Sequence, residues 1–474
     1  MREDLKVSKR IRLNPCDFLF YGQHQLLTRR SPEGNIAYMI FDVEDAIDPD
    51  QFLQALSIAL ARHPSMMSKF RVSFPLGRPY WKTPSDSASR AIHAARAAHS
   101  FHDLRGNADW ESQINRLYPS GKIPQWDLRA GPQIRFEQYA LPNGHTRFIF
   151  RWPHFLMDAD GAQWFLLQIS RAGSGKATCS EYPDSISRDE EGIDVLKSHS
   201  FIDRLRLFRR GMAAQKSNSH PAAGRLFKMP DQPLAEHEVI HRNYSVDQTI
   251  QIQEAAKHSA PSGPALYARY SAACILRAID RLFQENAAPS EAYFITMPLR
   301  AAISQHDARL FAKRPVPGNY LVTPVLCGRR DRLRSMRTIG DDILKQFQEY
   351  VSQEIDMAQW SMMWAASFIH EWSYKLIFKL PLDIAEFASG FSYYGEISEP
   401  VRTICGARVL NLWGGGPTTT PPALNPVFSK FENRLNMTMT YDKQVVSDQV
   451  AQRYVELIEE HLFDSPTLDE TIRL

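Results

Sequence analysis

The stretch Thr146 to Ser170, TRFIFRWPHFLMDADGAQWFLLQIS, decides how the chain is read, because it ends an apolar strand on a histidine and then starts an apolar helix. Phe148, Ile149, Phe150 and Trp152 have the β-branched and aromatic composition of a buried strand. Pro153 has no amide hydrogen to give to a ladder, so the strand is expected to stop there and His154 is the first residue beyond it. Asp158, Asp160 and Gly161 read as a turn. Ala162, Trp164, Phe165, Leu166, Leu167 and Ile169 then restart an apolar pattern long enough for about two and a half helical turns. A strand-to-helix loop on a rigid scaffold is a common seat of chemistry. It is equally a common place for a histidine that does none.

Working outward, Ile134, Phe136 and Gln138 share one face of a preceding strand, and Pro142-Asn143-Gly144 supplies a turn that sends Arg147 to Trp152 back antiparallel. Further upstream, Asn35 to Val43 reads as a strand. Asp48 or Asp50 can cap a helix carrying Phe52, Leu53, Leu56, Ile58, Ala59 and Leu60 at helical spacing, which His63-Pro64 ends. A strand over Ser68 to Ser73 follows. The Ala, Arg, His and Ser mixture from Ser85 to Ser100 carries no clear period, and Asp109 to Tyr118 is weakly helical.

Downstream, Gly173-Ser174-Gly175-Lys176 falls short of a phosphate-binding loop: Ser170 stands where the first glycine is needed and Ala177 where Ser or Thr must follow the lysine. Phe201 to Met212 is a basic amphipathic helix, with a solvated face as the plainer reading and an acidic partner as the other. Ala213 to His237 has the composition of a crossing between halves. Beyond it the pattern gives a strand (Glu238 to Val246), two helices (Thr249 to Ala256, Pro264 to Phe283), a strand (Ala292 to Met297), Leu299-Arg300, a loop entering VPGNYLVTPVL, and a helix over Arg334 to Gln353. The Met- and Trp-rich stretch from Asp356 to Leu380 reads first as helices packed into a core, and otherwise as the lining of an acyl tunnel or a peripheral membrane contact. FSYYGEI, VLNLWGGGPTTTPP and RLNMTMTYDKQVV read as strands with one glycine-rich loop, and Ser447 caps a closing helix to about Leu462.

At 474 residues the chain suits two lobes. A formal charge of +3 gives no reason to expect nucleic acid or an acidic partner. Cys16, Cys179, Cys274, Cys327 and Cys405 are odd in number and widely spaced, which argues against a disulfide framework or zinc site and fits a reducing cytosol. No secretory h-region precedes the first strand, and no apolar run of about eighteen residues would span a membrane, so a cytoplasmic location is expected.

Seven segments, taken in order, resemble the condensation-domain superfamily of acyltransferases, whose relatives include polyketide-associated acyltransferases, wax ester synthase/diacylglycerol acyltransferases and the plant BAHD enzymes. They are DPDQFLQAL…ARHPSMMSKF (Asp48 to Phe70), QWDLRAGPQIRF (Gln125 to Phe136), PHFLMDADG (Pro153 to Gly161), ITMPLR (Ile295 to Arg300), VPGNYLV (Val316 to Val322), FSYYGEI (Phe391 to Ile397) and a terminal MTYD followed by a helix. The resemblance implies an α/β (α+β) fold of two lobes, each similar to chloramphenicol acetyltransferase, with mixed sheets and a tunnel between them. On this chain the lobes would be residues 1–212 and 238–474, joined by 213–237.

The resemblance further implies that His154 is a general base, taking a proton from a hydroxyl or amine acceptor as it attacks a thioester. An imidazole with a pKa near ~6.5 suits that task. Asp158 would be structural and paired with Arg300. The donor would be acyl-CoA or a carrier-protein phosphopantetheine acting as co-substrate, with no permanently bound cofactor and no metal. Any carrier would be a separate protein, since no Ser-centred pantetheine motif follows the fold. Two positions depart from the family's HHxxxDG: Pro153 replaces the first histidine, and Ala159 replaces the glycine after Asp158. A glycine there gives the backbone freedom, so Ala159, with Asp160 and Gly161 as the rest of the loop, keeps open a catalytically inactive binding or recruitment module. No plant-type DFGWG is present, and Asn411 to Gly416 is only loosely comparable.

Overall fold

The computed structural model describes residues 10–28, 34–73, 78–85, 87–111, 114, 126–174, 195–217, 236–259, 263, 265–286, 288, 290–304, 318–368, 388–397, 401–418 and 422–464. The chain opens with β1 (Arg10–Arg12), α1 (Pro15–Leu27), β2 (Ile36–Val43), α2 (Pro49–Arg62), β3 (Lys69–Ser73), β4 (Arg78–Lys82), α3 (Ser87–Ala98) and β5 (His99–Asp103). The hairpin of β6 (Arg135–Ala140) and β7 (Thr146–Pro153) follows, then α4 (Ala159–Gly173) and α5 (Phe201–Ser217). Next come β8 (His237–Asn243), α6 (Val246–Ser259), α7 (Leu266–Glu285), β9 (Ala292–Thr296), β10 (Leu299–Arg300), β11 (Leu321–Val322) and β12 (Val325–Arg329). The chain closes with α8 (Met336–Ser352), α9 (Ile355–Ala366), β13 (Ser392–Glu396), β14 (Thr403–Ile404), β15 (Ala407–Gly415), β16 (Leu424–Phe431), β17 (Arg434–Asp442) and α10 (Asp448–Leu462).

β7 lies inside a six-stranded mixed sheet ordered β14-β15-β2-β7-β6-β5, and both of its faces are covered. Phe148, Phe150 and Trp152 enter the main core of the first lobe, beneath α2 and α4. Ile149 enters a smaller cluster on the opposite face with Tyr38, Ile40 and Trp413. That double burial explains why the strand is nearly continuous in apolar residues rather than alternating. Its two arginines on the second face are paired, Arg147 with Asp42 at 2.6 Å and Arg151 with Glu137 at 3.2 Å. The strand ends on Pro153 as expected, and α2 and α10 begin at the caps Asp48 and Ser447.

A second sheet, β13-β16-β17-β8, packs with α7 and α10 around a separate core that includes Ile275, Leu276, Phe428, Met437 and Tyr454. A smaller cluster made by Cys16, Tyr320, Val322, Met357 and Trp360 joins α1, the segment before β11, and α9. The architecture is therefore a mixed α/β fold with two cores. One strand crosses between them: β15, late in the chain, hydrogen-bonds β2 of the first sheet from Val409↔Val43 to Gly415↔Tyr38.

One sequence expectation changes here, and two stretches without an assignment gain one. Asn411 to Gly416 is not a glycine-rich loop, since β15 continues through Gly415. A Cβ on Gly414 would run into the Tyr38 carbonyl oxygen and one on Gly415 into the Tyr38 hydroxyl, so these glycines permit close strand approach. The unplaced Ser85 to Ser100 segment contains α3, whose Ala91, Ala95 and Ala98 sit in the core beside α2. Phe18 to Leu27, a mixture of aromatic and polar residues, lies in α1, started by a capping box between Asn14 and Asp17.

Gly173, the first glycine of the rejected phosphate-loop reading, packs against Cys405. The described part of the Met/Trp stretch is α9, with Met357 and Trp360 buried. Its remainder from 369 to 380, Lys176, residues 316–317, and 218–235 of the expected crossover lie outside the described residues; the crossover's first residues, to Ser217, continue α5. Among the described residues no helix is long and apolar enough to cross a membrane.

Candidate active site

His154 follows the last residue of β7, and its amide donates to the Asn35 carbonyl at 2.9 Å, which fixes its backbone one residue beyond the ladder. The imidazole stacks on Phe20 of α1, with centroids 4.1 Å apart and planes 15° from parallel. It is set deep in the protein, yet the residue keeps part of its surface open. Burial holds its pKa below the ordinary imidazole value, against the opposing effect of hydrogen bonds to its own carbonyl and to Asn319. The ring is therefore neutral near pH 7.

Asn319, in the segment leading into β11, brings its side-chain oxygen 3.2 Å from His154 Nδ1 and donates from Nδ2 to the His154 carbonyl at 2.8 Å. The same Nδ2 donates to the buried Asp17 carboxylate at 2.9 Å, which also accepts the Asn319 amide at 3.1 Å. Asn14 donates to the Asn319 carbonyl at 2.9 Å. The start of α1 thus grips the segment that touches the histidine.

Asp158 is the N-cap of α4 rather than part of a free turn, and Ala159, Asp160 and Gly161 form the helix's first turn. One of its oxygens accepts the Gly161 amide at 3.0 Å and the other the Tyr320 amide at 3.3 Å, while its own amide donates to the Gly318 carbonyl at 3.1 Å. Asp158 therefore ties α4 to the segment before β11 through backbone groups. The expected Asp158–Arg300 pair is not formed; Arg300 takes Asp160 instead, its Nε 2.7 Å from Oδ2, with a second bond from Nη2 to the same oxygen. The N-cap geometry turns the Asp158 carboxylate to the backbone amides of Gly161 and Tyr320, while Asp160, in the first turn, meets the guanidinium.

Burial pushes the Asp158 carboxyl up, the Asp160 charge adds to this, and the amide donors with Arg300 oppose it. Tyr394 of β13 stands close enough to both carboxylates that their charge, after burial, raises its hydroxyl too. The nearby Cys16 thiol donates to the Leu321 carbonyl at 3.4 Å, and burial pushes it well above its usual range, which disfavours the thiolate.

Ala159 keeps a negative φ, being absent from the left-handed residues of the described chain. The glycine of the family pattern is not required for this backbone. Asn319 was visible in the sequence only as part of the VPGNYLV segment before a strand, and nothing in the seven segments marked Asp17 or Phe20. The readable signal was Asn14-Pro15-Cys16-Asp17, a capping box with proline at the first helical position.

This geometry sits in a fold of a defined class, the two-lobed architecture of condensation domains and related acetyltransferases. In particular, the structure superposes on TRI3 trichothecene 15-O-acetyltransferase from Fusarium sporotrichioides with a TM-score of 0.71 at 14% identity, over 96% of this chain and 95% of that one. The first condensation domain of the CDA synthetase matches with a TM-score of 0.69 at 16% identity, over 98% of each chain. The starter condensation domain of rhizomide synthetase, determined with C8-CoA, matches with a TM-score of 0.65 at 14% identity, over 96% of each chain. No protein-family model matches the sequence, and no curated protein does.

Proposed function

We propose that the protein is an acyltransferase that moves an acyl group from a thioester, acyl-CoA or acyl-phosphopantetheine, to a hydroxyl or amine acceptor, with His154 as general base. The observation that carries the reading is a neutral, partly open imidazole at a strand end, held by residues of both halves, in a fold shared with an acetyltransferase and condensation domains. Nε2 has no hydrogen-bond partner among the described residues, so its lone pair is available to an acceptor's proton. As the acceptor oxygen or nitrogen attacks the thioester carbonyl, Nε2 takes its proton; the tetrahedral intermediate then collapses, the C–S bond breaks, and the proton passes to the departing thiolate. A thioester is already activated, so this route calls on no redox group.

The inactive-module reading turns on Ala159, where the helical backbone accommodates alanine without strain; turnover decides between the two readings. The test is incubation of the protein with a panel of acyl-CoA and acyl-pantetheine donors and of alcohols and amines, read by mass spectrometry. His154→Ala is expected to fold with wild-type circular dichroism and to lose roughly 10²–10⁴-fold in acyl transfer. Unchanged turnover in that variant would remove the general base. Thioester binding with no product from any acceptor would favour a recruitment module.

A further inference from the structure

The side chain of Asn319 does two things to His154 at once, and the direction of each follows from its neighbours. Its Nδ2 lies 2.9 Å from an Asp17 carboxylate oxygen and 2.8 Å from the His154 carbonyl, two groups that only accept. The amide can therefore face only one way: nitrogen toward Asp17 and the His154 carbonyl, oxygen toward His154 Nδ1 at 3.2 Å. An amide oxygen cannot donate, so the ring nitrogen facing it must carry the hydrogen.

We infer that Asn319, locked by Asp17, is the positioning residue that fixes His154 as the Nδ1–H tautomer and leaves Nε2 as the basic nitrogen. Asp17 is rigid enough for the task. It is fully buried, its other oxygen accepts the Asn14 amide at 3.1 Å, its own amide donates back to Asn14 at 2.7 Å, and it also accepts the Asn319 main-chain amide. Phe20, one turn further along α1, stacks on the ring and restricts its rotation. The carboxylate acts at one remove: a primary amide stands between it and the imidazole and passes on orientation but no proton. This differs from an acid–histidine pair, in which the carboxylate meets the ring directly and stabilises its charged form. The tautomer assignment stands on geometry alone, and only its kinetic consequence rests on the acyltransferase reading.

The experiment uses the full chain labelled with 15N-histidine, with the His154 resonances assigned by their loss in His154→Gln, at a pH where imidazole is neutral. Wild type is expected to show a protonated Nδ1 whose hydrogen exchanges slowly and an unprotonated Nε2. Asn319→Ala is expected to give a mixture of tautomers, and the swap Asp17→Asn with Asn319→Asp, which restores an acceptor opposite Nδ1, is expected to restore the single Nδ1–H form. In acyl transfer, Asn319→Ala should lower kcat about tenfold to a hundredfold, part of what a general base supplies, with little change in KM.

A wild-type His154 protonated on Nε2 overturns the inference, as does an Asn319→Ala protein that stays wholly Nδ1–H, since the ring's own carbonyl would then suffice. Should Asn319→Ala not fold, wild type decides: an Nδ1 hydrogen that exchanges as fast as in free imidazole also overturns it. Correct tautomers in a protein that transfers no acyl group would sink the functional reading and leave this one standing.

Discussion

Burial makes His154 a weaker base than free imidazole but one that is neutral across the physiological range. If its neutral form is the active one, kcat/KM holds as pH falls through 6.5 and drops only below the ordinary imidazole pKa of ~6.5. A pH–rate profile with an acid limb above 7 would contradict this. Other desolvated histidines set a stability trend. His24, His63 and His241 are each pushed down to about 4, chiefly by desolvation. With the folded pKa below the unfolded one, each contributes stability that is complete above about 6.5 and is lost as pH falls toward 4, roughly 3 kcal/mol apiece at the limit.

Asp158, shifted up, acts in the opposite sense: its contribution is present at low pH and is lost as pH rises through its folded pKa. The histidines together outweigh the one carboxyl, so Tm should fall between pH 7.5 and 5. His24 adds a local consequence. Its Nδ1 accepts the Asn35 amide at 3.1 Å, and the Asn35 carbonyl holds the His154 amide, so protonating His24 disturbs the backbone under the base. Asp158→Ala removes a helix cap and the acceptor for Tyr320 rather than one member of a buried ion pair. The expected loss is about 1–2 kcal/mol, seen as a lower denaturation midpoint; a loss of 4 kcal/mol or more would indicate a buried charge pair after all.

Among elements, those with clean periodicity and proper punctuation were legible from sequence: the β6–β7 hairpin, α2 with its Asp48 cap and Pro64 stop, and α10 after Ser447. His154 at a strand end was legible for the same reason, because Pro153 marks the end of β7. Elements whose reason lies in another part of the chain were not. α3 has too few large apolar residues to show a period, since alanine is what lets it lie close to α2. β15 carries glycines that weaken any strand propensity, and only the approach of Tyr38 explains them. The Asn319–Asp17 contact spans 302 residues of sequence, and nothing local announces it. For β15 the expectation is specific: Gly414→Val should destabilise by about 1–3 kcal/mol in urea titration, because the added carbons meet β2 backbone. A neutral result would mean that the two strands can separate at no cost.

At the scale of the whole molecule, the two sheets meet through a buried amide pair. Asn411 of β15 and Asn436 of β17 each donate to the other at 3.0 Å, and His241, stacked on Trp413, adds a 3.3 Å contact to Asn436. Each single alanine variant strands its partner's buried amide at a cost of about 1–3 kcal/mol. A double-mutant cycle should therefore give a coupling energy of at least about 0.5 kcal/mol, and strict additivity would show that the two amides do not act as a pair.

β15 also orders events in time. The sheet that carries His154 lacks its β2 neighbour until residues 407–415 exist, so about 250 residues must be translated after β7 before that sheet can close. At about 5–20 residues per second, that interval lasts on the order of tens of seconds. Throughout it the nascent chain presents β2 as an open, apolar edge, the kind that recruits foreign strands. The first half of the chain is thus not a unit that finishes folding by itself on the ribosome. Expressed without the second half, it is expected to leave the soluble fraction.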